Sequence, residues 1–120
     1  MKAYEVRKSE LSRAESRVAS EGTIAAGSEV LAHHFPRFPI LPGVLMLDLM
    51  RAAAEAWYGK SVRVQSVKRV RFSNYLKPGS AWEARMKLEN SSVEGDRWSG
   101  EILSAGAKMA SAILTLSVKG

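Results

Sequence analysis

The apolar positions along the chain change their spacing twice, and each change marks a new kind of element. Up to about Val30 the alternation is poor. Scattered apolar residues and the pair Glu21-Gly22 read as a loose hairpin, with strands near 10–20 and 23–32. From Val44 the residues Val44, Leu45, Met46, Leu47, Leu49, Met50, Ala52, Ala53, Ala54, Ala56 and Trp57 form one helical segment, rich in good helix formers, that closes at Gly59. Apolar residues cover most of its circumference, which predicts a helix wrapped by other structure. In AWEARMKLE, Trp82, Ala84, Met86 and Leu88 face one way and Glu83, Arg85, Lys87 and Glu89 the other, the period of a half-buried strand.

The segment SVRVQSVKRVRF alternates in two registers, and Val67 falls out of phase, so a bulge is expected near Ser66. Pro78-Gly79 turns this strand into the next, Glu94-Gly95-Asp96 turns again, and Ala105-Gly106 makes a third turn before a last strand at about 108–118. The later strands read as an antiparallel meander. One buried helix with a sheet around it is an α+β architecture, and with no repeat or dividing linker the 120 residues form a single domain.

Composition narrows the chemistry. There is no cysteine, which removes disulfides and thiolates, makes a cytoplasmic setting the default, and leaves one adjacent His pair as a poor start for a structural zinc site. The polar start carries no signal-peptide pattern, and the apolar run Val44–Leu47 is too short to span a bilayer, so no membrane role is expected. The net charge is +6, with basic residues densest in RVQSVKRVR, 63–71. That run is either the solvated side of a strand or a docking patch for an acidic partner. No basic helix stripe or aromatic strand pattern supports nucleic acid as that partner.

The densest chemistry lies in HHFPRFPILPGVLMLD, 33–48. Pro39 and Pro42 hold the preceding residues extended, so the helix starts at about Pro42. No Ser, Thr, Asp or Asn between Arg37 and Gly43 caps it, leaving the N–H groups near Gly43, Val44 and Leu45 as unpaired donors that a substrate carbonyl would satisfy. Asp48 follows on the second turn. Among aliphatic neighbours its pKa would rise and it would serve as a proton donor. Equally, Asp48, Arg51 and Glu55 stand three and four residues apart, the spacing of a salt-bridged solvated stripe. His34 on a proline-fixed turn completes a base, a carbonyl-polarising site and an acid, the needs of proton abstraction beside a carbonyl.

At these residues the chain resembles the hot-dog-fold 3-hydroxyacyl-(acyl-carrier-protein) dehydratases of fatty acid synthesis. His34-Phe35-Pro36, Pro39 through Leu45 and Asp48 match their signature in order, and VRVQSVKRVRFSNYLKPGS looks like their third strand with its Phe and Pro-Gly turn. The resemblance implies a hot-dog fold, an antiparallel sheet wrapped around one long helix. It implies that His34 takes the α-proton of a 3-hydroxyacyl thioester and that Asp48 protonates or orients the departing hydroxyl. Gly43 would bind the thioester carbonyl, with Val44, Phe35 and Pro42 beside the substrate. It further implies a homodimer or higher homo-oligomer with shared sites. No cofactor is implied beyond the phosphopantetheine arm of an acyl carrier protein that brings the substrate. His33 and Arg37 stand where the family has glycines, Arg51-Ala52 stands where many members have a glutamine, and the Tyr-Pro-Phe-Leu-Leu-Val-Asp-like segment of longer members is absent. The wording of the motif looks like the compact dehydratases of aryl polyene and related polyketide pathways. Thioester hydrolysis and a non-catalytic acyl-binding or assembly role are the competing readings.

Overall fold

Among the described residues, two-residue alternation and one apolar helical segment build six strands and one helix. The computed structural model describes residues 4–25, 43–77 and 79–119. In chain order the elements are β1 (Tyr4–Ser12), β2 (Arg17–Ile24), α1 (Gly43–Tyr58), β3 (Val62–Phe72), β4 (Ala81–Ser92), β5 (Gly95–Ser104) and β6 (Ala107–Val118). All neighbours in the sheet are antiparallel, in the order β1-β2-β4-β5-β6-β3. The α+β, hot-dog arrangement expected from the sequence is the one observed.

The helix is positioned by its own apolar face. Met46, Leu49, Met50, Ala53 and Ala54 are buried against the sheet, where they meet Trp82, Met86, Trp98, Ile102, Leu114 and Leu116. Burying each large side chain here contributes about 1.5–3 kcal/mol. Gly59 ends the helix in a left-handed conformation, φ 67°, with its N–H donating to the Glu55 carbonyl at 2.8 Å. The helix is less enclosed than its composition suggests. Val44 is 69% exposed, and the side carrying Asp48, Arg51 and Glu55 is only partly covered. The sheet covers one side of α1, and among the described residues nothing comparable covers the other.

Two expectations about the strands are corrected. The first turn lies at 13–16, with Ser16 at φ 56°, and Glu21-Gly22 sits inside β2. Gly22 is there for space: a Cβ on it would stand 1.8 Å from the Glu5 carbonyl oxygen of β1 and 2.9 Å from the Trp82 ring. The second concerns β3, which does not hairpin onto β4. It pairs with β6 at the far edge, so the chain must return across the sheet, by way of residues 73–77 and 79–80, before β4 begins. Ser73 N–H donates to the Met109 carbonyl at 2.9 Å, Leu76 is buried, and Gly79 N–H donates to the Ile24 carbonyl at 2.8 Å. The meander is β4-β5-β6 alone. The expected bulge is present between Val64 and Ser66, and a second irregularity lies between Lys68 and Arg71 with Arg69 at φ 53°. The turn at Ala105-Gly106 falls where the sequence puts it.

Candidate active site

Asp48 lies on the second turn of α1, on the side away from the buried Met46, Leu49 and Met50. Its carboxylate is shared by two neighbours. Arg51, three residues on, donates from Nε to Oδ1 at 2.6 Å and from Nη2 to Oδ2 at 3.3 Å. The Tyr4 hydroxyl, from edge strand β1, donates to Oδ2. Arg51 also donates from Nη1 to Glu55 Oε2 at 2.7 Å, and that oxygen accepts the Val62 N–H at 3.1 Å. One polar chain thus ties β1, α1 and β3 together.

This geometry decides the charge of the acid. Burial pushes the Asp48 carboxyl up, but the Arg51 and Tyr4 hydrogen bonds and the Arg51 charge outweigh it and hold the pKa below the ordinary 3.8. The expectation of a raised pKa and a neutral proton donor is therefore corrected for this arrangement: Asp48 is an ionised acceptor. The salt-bridged stripe suggested by the three- and four-residue spacing is present, and it is only half solvated, with the Asp48 side chain 37% exposed. Burial, then the bond to the carboxylate, pushes the Tyr4 hydroxyl far above the usual phenol range, so it stays protonated.

Tyr4 packs edge-on against Trp82, with ring centroids 6.1 Å apart, and lines a cavity of about 430 Å³ with Glu5, Val6, Thr23 and Ala25. Gly43 opens the helix, and the Phe72 ring lies against it so closely that a Cβ would fall 2.8 Å from the ring. Val44, the next donor, is exposed. His34, Phe35 and Pro42 lie outside the described residues, as do His33 and Arg37. The described part of the site therefore brings together Gly43, Val44 and Asp48 on one helix end. Sequence reasoning missed Tyr4, 44 residues from Asp48, and the closeness of Phe72 to Gly43. The paired spacing of Arg51 was the only signal available for this network. Among the described residues no three His, Asp or Glu side chains stand close enough together to hold a metal ion.

Residues 10–111 match the ApeI-like family, described as ApeI dehydratase. The chain belongs to the ApeI-like dehydratase family. Among curated proteins it is 26% identical over 87 residues to a 3-hydroxyacyl-(acyl-carrier-protein) dehydratase FabZ of Lactobacillus helveticus, covering 67% of this chain and 58% of that one. A FabZ of Clostridium perfringens is 26% identical over 81 residues, 62% of this chain and 58% of that one. The ApeI-like chain thus spans 58% of the length of these curated relatives. Among solved structures, the dehydratase heterocomplex ApeI:P from Xenorhabdus doucetiae superposes with TM-score 0.77 at 18% identity, over 97% of this chain and 98% of that chain. A putative thioesterase, a phenylacetic acid degradation-related protein of Ralstonia eutropha, reaches TM-score 0.67 at 16% identity, over 96% and 84%. These two likenesses speak for the hot-dog fold alone.

Proposed function

We propose that this ApeI-like chain removes water from 3-hydroxyacyl thioesters carried on acyl carrier protein, giving trans-2-enoyl thioesters in fatty acid or polyketide-type synthesis in the cytoplasm. The observation that carries the reading is Asp48: an oriented, ionised carboxylate on the second turn of α1, in a member of a dehydratase family. In the reaction, a ring nitrogen of His34 takes the α-proton and the released electron pair forms the C2–C3 double bond. The C3–O bond breaks, and the leaving hydroxide takes a proton back from the His34 imidazolium and departs as water. Asp48, already ionised, accepts a hydrogen bond from the hydroxyl or the imidazolium and so orients the departure rather than donating the proton. The Gly43 and Val44 N–H groups at the positive end of α1 polarise the thioester carbonyl, and Phe35 and Pro42 flank the chain of the substrate.

The acyl group would arrive on the carrier's phosphopantetheine arm, with no other cofactor. We further propose a homodimer in which His34 of one copy meets Asp48 of the other. The part-exposed side of α1 and the edge position of β3 in the sheet favour such pairing. The heterocomplex of the Xenorhabdus neighbour makes a different subunit the alternative second chain. Hydrolysis is the second reading, because an ionised carboxylate is what activation of water requires. A 3-hydroxyacyl thioester tests both readings at once. The proposal expects enoyl absorbance without free thiol. Thiol release without enoyl product would replace dehydration by hydrolysis, and binding without either product would leave an acyl-binding protein.

A further inference from the structure

The face of the sheet turned away from α1 carries a feature that dehydration does not use. A trough of about 470 Å³ crosses it, lined by Arg17 of β2, Arg85 and Lys87 of β4, Ser99 and Glu101 of β5, Ser111 and Ile113 of β6, and Arg69 of β3, among others. Its shape follows from side-chain length. Ser99 and Ser111, with Ile113 and the Lys108-paired Glu101, make the floor on β5 and β6, while long cations stand on both sides, Arg17, Arg85 and Lys87 along one rim and Arg69 along the other. Of the basic run 63–71, only Arg69 joins it, re-aimed by the irregularity between Lys68 and Arg71, where its own φ is 53°.

The charges in the trough are under-neutralised. Glu83 takes Arg85 at 2.8 Å, and Glu101 is itself engaged by Lys108 at 3.3 Å. Arg17, Arg69 and Lys87 make no ion pair among the described residues. The register moreover sets Arg17 directly opposite Lys87, a like-charge cross-strand pair that works against the sheet unless an anion covers it. The rims stand on β4 and β3 with β5 and β6 between them, three strand spacings or about 14 Å apart. One phosphate cannot touch both rims across that gap. An α-helix with its side chains, about 10–12 Å across, fills it.

We propose that the trough is a docking groove for an acidic α-helix of a partner protein, lying along β5 and β6. Carboxylates on two sides of such a helix meet the two cationic rims, and its third, uncharged side rests on the floor around Ser99, Ser111 and Ile113. The inference is independent of the proposed reaction, since none of these residues belongs to the Asp48 site.

The test uses the whole protein and a fluorescent, Glu-rich helical peptide of about 20 residues. Titration at low salt should give saturable binding that weakens steeply as salt rises. The variant Arg17→Gln, Arg69→Gln, Lys87→Gln should bind at least about tenfold more weakly while turning over a small thioester substrate as the parent does, which also reports that it is folded. The charge-reversed set Arg17→Glu, Arg69→Glu, Lys87→Glu should abolish binding. A peptide of identical charge broken by central prolines should bind more weakly than the helical one. The proposal is overturned if the triple variants bind like the parent, if the broken peptide binds equally well, or if a duplex DNA or inorganic pyrophosphate competes better than the helical peptide. Loss of thioester turnover in the parent would count against the proposed reaction and leave this groove standing.

Discussion

Replacing Tyr4 by Phe removes one donor from Asp48 and little else. The ring keeps its edge-on packing against Trp82 at 6.1 Å, and Arg51 keeps its own bonds to the carboxylate, at 2.6 and 3.3 Å. A hydrogen bond to a charged group is worth about 1.5–3 kcal/mol when well buried. Asp48 is 37% exposed, so water partly replaces the lost hydroxyl and the expected cost falls to about 1 kcal/mol at neutral pH. For a domain of this size that is a melting-point drop of about 4 °C. The pH dependence gives the sharper test. Because the folded-state pKa of Asp48 is depressed below 3.8, the stability tied to its charge is present above that value and is lost as pH falls through the lower, folded one. The gap between parent and Tyr4→Phe should therefore be full at pH 7 and narrow below about pH 4. Because the Tyr4 pKa is raised, its own contribution should decline above pH 10.0 as the unfolded phenol ionises. Thermal melts of both proteins across this range measure the gap. Equal stability at pH 7, or a gap that widens in acid, would refute the hydrogen bond as the source.

Other outcomes follow from the fold. Gly22→Ala forces a Cβ into the Glu5 carbonyl oxygen, so β1 must separate from β2, at a cost of about 3 kcal/mol and a melting point lowered by about 10 °C; a scanning-calorimetry trace unchanged from the parent would contradict the close approach. Tyr58→Phe takes from the buried Trp98 Nε1 its acceptor at 2.9 Å and from Asp96 its donor at 2.5 Å. Urea unfolding should show a loss of about 2 kcal/mol with an unchanged slope, and a midpoint within error of the parent would remove that network from the account.

How much of this was legible depended on the range of the interactions. The helix and its end at Gly59 are set by local composition and a cap, and both follow from the sequence. So do β4, with its alternating Trp82, Ala84 and Met86, and the turn at Ala105-Gly106. Gly22 misled because glycine signals a turn locally, whereas here it answers a neighbouring strand 17 residues away, at Glu5. The place of β3 beyond β6 is a topological fact that no local pattern carries. The spacing of Asp48, Arg51 and Glu55 announced a salt-bridged stripe, but the apolar run around it suggested a protonated acid. What decided between them was the hydrogen bond and charge of Arg51, joined by the hydroxyl of Tyr4, which only the folded sheet brings to the carboxylate.

In the proposed reaction His34 and Asp48 act together on a 3-hydroxyacyl thioester. The direct measurement is the rate of enoyl formation, followed by absorbance, for the parent, His34→Ala and Asp48→Asn side by side, with melting curves to show that each is folded. Turnover by the parent and none above background by either folded variant is the predicted result. Full activity in both variants, or no enoyl product from the parent with any chain length offered, would contradict it.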